Sequence, residues 1–221
     1  MKNDNSIVIT AIMGGTFDPV HLGHMSFAMD VLEQTEVQKI VFMPAKLQPF
    51  KLDVKMSSYE DRVAMLKLAC EVINSEMALR HGDAAGRSAE VSLLENELPG
   101  VSYTYRTLEE YRKLFEPAEL FFVTGTDSFV KLDTWMEHEK LLRDNSFIVG
   151  VRPGYPDEEI CEKKTEYEEK FQTKTLIIQN TPVDMSATEV RRAAASGRSI
   201  EGMVTDKVAE YINEHALYSG K

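Results

Sequence analysis

The sequence predicts a doubly wound α/β fold, a mainly parallel sheet with helices on both faces. Three observations carry that reading. Short apolar runs recur at 7–13, 39–43, 119–124, 146–151 and 175–179, each the length of a buried strand. Stretches with apolar residues at helical spacing lie between them, and this alternation builds parallel sheets. The first run ends at Gly14-Gly15, and the chain passes at once into such a stretch, with Leu22, Met25, Phe27, Ala28, Met29 and Leu32.

Taken in order, the strand at 7–13 leads through a tight glycine turn into a helix at 22–34, and K-I-V-F-M (39–43) completes a β-α-β unit closed by Pro44. A loop at 45–56 follows. Ser57 and Glu60 have the spacing of a capping box, and the helix they start carries Val63, Leu66, Ala69, Cys70 and Ile73 on one side, with Arg62 opposite as surface charge. Residues 77–80 and 89–93 are two candidate short strands around a small polar loop. Thr104 or a neighbour caps an amphipathic helix bearing Leu108, Tyr111 and Leu114. The run 119–124 is the clearest interior strand, and Gly125-Thr126-Asp127-Ser128 ends it. Arg152-Pro153-Gly154 ends the strand at 146–151. Residues 156–174 are charge-rich, broadly helical and read as solvated. Ser186 and Glu189 form a second capping box. Gly197 breaks that helix, and a closing helix at 205–217 turns Val208, Tyr211 and Ile212 inward.

The chain has 221 residues and 43% hydrophobic content, which fits one domain over 1–221, with 181–221 as a C-terminal helical part. A net charge of -11 argues against a nucleic-acid binder, since phosphate backbones call for a basic surface. Backbone dipoles can still hold a small anion. Cys70 and Cys161 make no disulfide framework and fit inert thiols in a reducing compartment. The first residues are polar, without the apolar core of a signal peptide. No run approaches the roughly 18 apolar residues of a membrane span. A cytoplasmic location is the expectation.

The chemistry concentrates in I-M-G-G-T-F-D-P-V-H-L-G-H, residues 12–24. A helix start there offers N–H groups to a phosphate, and Gly14 and Gly15 allow a ligand close to the backbone. His21 and His24, three apart, share a helix face. They read as packing or capping residues, as a zinc pair, or as imidazoles facing a bound phosphate. No cysteine or carboxylate at suitable spacing supports zinc. The phosphate reading accounts for the glycines, Thr16 and both histidines together. Lys46, Lys51 and Lys55 crowd one loop after a strand end, either as a solvated loop or as a cap over phosphates. Asp127 follows a glycine at another strand end. Ser186, Thr188 and Arg191 bring a helix N-terminus, two hydroxyls and a guanidinium together, a set suited to a polyphosphate. Trp135, the only tryptophan, reads by itself as a core residue.

G-G-T-F-D-P-V-H-L-G-H resembles the nucleotide-binding signature of the nucleotidyltransferase superfamily, shared by pantetheine-phosphate and cytidylyl members. From the first strand to V-A-E-Y-I-N-E-H-A-L-Y (208–218), the chain resembles the bacterial nicotinate-nucleotide adenylyltransferase family. The resemblance implies a Rossmann-like fold with ATP and nicotinate mononucleotide as substrates. It implies ATP and phosphate contacts from Gly14, Gly15, Thr16, Phe17, Gly125, Asp127, Ser186 and Thr188, the last two on the C-terminal part that would complete the ATP site. His21, His24, Lys51 and Arg191 become the catalytic set. Tyr103, Thr104 and Trp135 become the nicotinate-nucleotide contacts, with Trp135 stacked on the pyridine ring. Mg2+ would arrive with ATP and bridge its phosphates, without a protein metal site. A homodimer is admitted but not required. The chain departs from the family pattern at Phe50, where the lysine loop has histidine, at Arg106, where the family has aspartate, and at Ala187, which replaces a serine.

The reaction implied is direct attack of a nicotinate mononucleotide phosphate oxygen on the α-phosphorus of ATP, giving deamido-NAD and pyrophosphate. Two alternatives stand beside it. One is adenylyl transfer to nicotinamide mononucleotide or another phosphate acceptor. The other is a nucleotide-binding protein weakened in catalysis, which Phe50 and Arg106 keep open. A redox dinucleotide enzyme is disfavoured, since no G-x-G-x-x-G stands at the first turn.

Overall fold

The computed structural model describes residues 8–46, 56–82, 86–151 and 157–219. Lys51, Phe50, the rest of the lysine-loop stretch 47–55 and Arg152-Pro153-Gly154 lie outside the described residues.

The described strands form one six-stranded sheet, β1 (Ile9–Gly15), β2 (Lys39–Pro44), β3 (Ser88–Val91), β4 (Glu119–Gly125), β5 (Ser146–Val151) and β6 (Thr175–Gln179). Their order is β3-β2-β1-β4-β5-β6, and every pairing is parallel. This is the doubly wound, Rossmann-like order. Between strands and after β6 run α1 (Leu22–Gln34), α2 (Tyr59–His81), α3 (Leu94–Glu97), α4 (Thr104–Phe115), α5 (Thr126–Phe129), α6 (His138–Asp144), α7 (Asp157–Phe171), α8 (Ala187–Ala195) and α9 (Asp206–Glu214).

Side chains alternate across each strand, and the two faces bury separate cores. On one face Ala11, Met13, Ile40, Phe42, Phe121 and Val123 pack with Ala28, Val31 and Leu32 of α1, Leu66 and Ile73 of α2 and Val208 of α9. On the other Ile12, Val41, Phe122, Phe147 and Val149 pack with Leu108 of α4, Leu141 of α6 and Tyr167 of α7. No helix among the described residues is long and apolar enough to cross a membrane.

Four expectations need correction. Residues 77–80 continue α2 instead of forming a strand. Met77 extends the buried 70–73 face at helical spacing, while Leu79, which would share a strand face with Met77, is exposed. The cap of α2 is Ser58, whose hydroxyl accepts the Asp61 N–H, while Ser57 lies one residue before it with its N–H on the Asp18 carboxylate. Leu114 is exposed at the end of α4. Helix α7 is no bare solvated segment, for Ile160 and Tyr167, two turns apart, are fully buried against the sheet. The second capping box is as expected, with Ser186 and Glu189 bonded reciprocally.

Candidate active site

In an open parallel sheet, ligands bind outside the carboxyl ends of the strands where the winding reverses. Here that point lies between β1 and β4. A cleft of about 790 Å³ opens there, lined by the ends of β1, β4 and β5 and by the start of α8. Its walls include Gly14, Gly15, Thr16, Phe17, His21, His24, Gly125, Asp127, Trp135, Ser186, Thr188 and Arg191. Motifs spread over 178 positions of sequence, from 14 to 191, therefore meet in one space.

The motif loop is built differently from a glycine turn. Gly14 and Gly15 belong to β1, and the left-handed residue is Phe17, at φ 51°. A bulky residue holds that conformation only when its surroundings impose it. Phe17 is buried, edge-on to His24 and to Phe42. A Cβ on Gly15 would stand 2.9 Å from the Phe17 ring, so this glycine makes room for the phenylalanine.

His21 occupies the N-cap of α1 and His24 the third helical position. Their rings lie 3.7 Å apart between centroids, tilted by 30°. His24 Nδ1 accepts the His21 N–H at 3.3 Å, so in the neutral ring the proton sits on Nε2, as a donor. His21 is 8% exposed, and among the described residues its buried Nδ1 has no hydrogen-bond partner. Burial lowers the His21 pKa to about 4, against a smaller opposing pull from Glu189. His21 is thus uncharged at neutral pH and can act only through its N–H or its lone pair.

Across the cleft, α8 presents its N-terminus through Ser186, Ala187 and Thr188. The Ser186 hydroxyl donates to Glu189 at 2.8 Å, and Arg191 extends one guanidinium nitrogen to the Asp18 carbonyl at 2.6 Å and another to Thr188 Oγ1 at 3.3 Å. The approach to α8 is pinned by α1. Asp30 accepts both the N–H and the hydroxyl of Thr181, and Gln34, one turn on, brackets Gln179 with two further bonds. Trp135 is half-buried, edge-on to Phe122, on the β4 side.

Tyr103 and Thr104 do not line this cleft. Tyr103 is the N-cap of α4 and flanks a separate shallow depression with Glu95, Ser102 and Arg106, and Thr104 begins the helix beside it. The α4 start is held there because buried Glu95 accepts the Thr107 hydroxyl at 2.9 Å. Arg106 bonds the Pro99 carbonyl.

Arg62, read as surface charge, is 1% exposed and donates from Nη1 to the carbonyls of Thr16 at 2.8 Å and Ala45 at 2.9 Å. It ties the loop after β1 to the loop after β2. Its burial was readable, since 62, 66, 69 and 73 share one helix face, but its partners, main-chain carbonyls distant in sequence, were not. Asp18, inside the motif, is a buried hydrogen-bond centre whose partners lie far along the chain. Among the described residues no three His, Cys, Asp or Glu side chains gather as a metal site requires.

The family model described as cytidylyltransferase-like matches residues 12–193, and the chain belongs to that family. A relative from Clostridium novyi (strain NT), described as "Probable nicotinate-nucleotide adenylyltransferase", is 30% identical over 207 residues, covering 94% of this chain and 97% of the relative. One from Methylacidiphilum infernorum (isolate V4), with the same description, is 34% identical over 208 residues, covering 94% and 91%. Within the family the chain therefore stands with the nicotinate-nucleotide adenylyltransferases, and it is an enzyme. The fold is shared with Plasmodium falciparum nicotinic acid mononucleotide adenylyltransferase complexed with NaAD, at a TM-score of 0.72 and 20% identity, over 96% of this chain and 97% of that one.

Proposed function

We propose that the cleft transfers the adenylyl group of ATP to nicotinate mononucleotide, giving deamido-NAD and pyrophosphate. The observation that carries the reading is the meeting of the His21–His24 pair, the α8 N-terminus and Arg191 around one cleft at the sheet's switch point. A phosphate oxygen of the mononucleotide forms the new bond to the α-phosphorus of ATP, in line with the bond to the bridging oxygen that breaks. Its electron pair leaves with pyrophosphate. The attacking phosphate is already anionic at neutral pH, so the protein's part is positioning and charge stabilisation.

His24 donates from Nε2 to the phosphates as charge develops. Neutral His21 braces the His24 ring from its near face and offers its own N–H. Thr16 and the backbone at Gly14, Gly15 and Phe17 receive phosphate oxygens. Arg191, with Lys51 from the loop after β2, favours the β- and γ-phosphates. Ser186 and Thr188 add the helix N-terminus, and Gly125 and Asp127 take the nucleoside side. Trp135, half-buried on the cleft wall, is the platform for the pyridine ring. Tyr103 and Thr104 stay in the reading on the sequence resemblance alone. Mg2+ enters with ATP as part of the substrate. On the cleft wall, the Asp18 carboxylate is already engaged by Ser57 and Tyr218, which favours a metal held through phosphates.

The test is pyrophosphate release from ATP and Mg2+ with nicotinate mononucleotide beside its nicotinamide form, for wild type and His24→Ala. Release favouring nicotinate and falling about 10²- to 10³-fold in the variant is the expected outcome, the scale of one lost transition-state donor. Equal or better turnover of the amide would overturn the substrate assignment. ATP binding without release would leave a binding protein.

A further inference from the structure

Beyond α9 the chain folds back, and Tyr218 reaches the motif loop across 200 positions of sequence. Its O–H donates to Asp18 Oδ1 at 2.7 Å. The same carboxylate accepts the Ser57 N–H at 3.3 and 3.4 Å, while the Asp18 carbonyl accepts from Arg191. Asp18 is 3% exposed and follows Phe17, the residue in the left-handed conformation. A buried carboxylate is costly unless its lone pairs are met, and Tyr218 supplies the shortest of its donors. Burial also drives the Tyr218 phenol well above its ordinary range, so the group is a donor at neutral pH. Asp18 thus joins three parts of the site: it lies in the loop leading to His21, its carboxylate takes the chain six residues after Lys51, and its main-chain carbonyl takes Arg191.

We propose that Tyr218 is a positioning residue for the reaction. Its hydroxyl holds the Asp18 carboxylate and so fixes the Asp18 main chain, keeping the loop from Thr16 to His21 and the Arg191 guanidinium on the Asp18 carbonyl in the arrangement that meets the phosphates of ATP. The inference rests on the adenylyl-transfer reading of the cleft. Tyr211 provides a matched control, since its hydroxyl bonds Asp61 Oδ1 at 2.9 Å, a residue of α2 that does not line the cleft.

The experiment compares full-length wild type, Tyr218→Phe and Tyr211→Phe by steady-state pyrophosphate release and by amide hydrogen exchange of residues 16–24 without ligand. In Tyr218→Phe we expect kcat to fall about tenfold, the scale of a small misplacement of reacting groups. The KM for nicotinate mononucleotide stays within about twofold of wild type, and the 16–24 amides exchange faster. Tyr211→Phe leaves both readouts at wild-type values. An unchanged kcat in Tyr218→Phe, or the same changes in both variants, would overturn the proposal. If wild type releases no pyrophosphate with either mononucleotide, the transferase reading falls. Exchange then decides the clasp by itself, with faster exchange in Tyr218→Phe alone sustaining it and unchanged exchange sinking it.

Discussion

His21 shows how burial turns a titratable side chain into a neutral one. Unfolded, it takes up a proton as pH falls through 6.5; folded, it does so only near pH 4. The unfolded state therefore binds more protons across that window, and stability rises with pH there. As pH drops from 6.5 to 4 this residue removes up to about 3 kcal/mol of stability. Denaturant titrations of wild type and His21→Asn check this. The difference between the two curves should slope across pH 4–6.5 and be flat above it; a level difference throughout would refute the assignment. That two histidines three apart would share a face was legible in the motif, because a helical period sets it. That one would be neutral was not, since burial depends on what the folded chain packs around it. Arg62 is the sharper case. Its spacing from Leu66, Ala69 and Ile73 places it on the buried face of α2 and not opposite it, and its guanidinium is met there by carbonyls after β1 and β2.

At the scale of elements, α1 does two things at once. Its first turn carries the histidine pair, and its last turns hold the segment that leads into α8 through Asp30 and Gln34. The separation between the histidine wall and the α8 wall of the cleft is therefore set along one helix. Asp30→Ala removes two bonds to Thr181 and frees that segment from the helix. We expect KM for ATP to rise about tenfold, equivalent to roughly one charged hydrogen bond, with KM for nicotinate mononucleotide little changed. Steady-state kinetics with each substrate varied in turn measures it, and equal effects on both would show that Asp30 acts on global stability alone. The helix capped by Ser186 was readable, because a capping box is a local signal. The strand expected at 77–80 was not one. Short apolar fragments have no period long enough to separate strand from helix, and the buried face of α2 decided the matter.

At the scale of the molecule, a cleft formed from β1, β4, β5 and α8 ties ligand binding to the folded state. Anything that binds it only when folded stabilises by mass action, about 2.7 kcal/mol at a hundred times the dissociation constant. We expect ATP with Mg2+ to raise the Tm measurably and His24→Ala to reduce that rise. An equal rise for wild type and variant would place His24 outside the nucleotide contacts. By itself, the sequence determined the strand runs, the α1 and α8 starts, the parallel doubly wound class and the motif that marks the family. These rest on local periods and caps that each segment carries alone. Only the tertiary structure decided which of the marked residues share one space. It brings Trp135, Arg191 and the histidine pair to a single cleft and leaves Tyr103 on a separate depression. It also set the left-handed Phe17, the buried Arg62 and the Tyr218–Asp18 bond, because each depends on atoms that meet only when distant strands are aligned side by side.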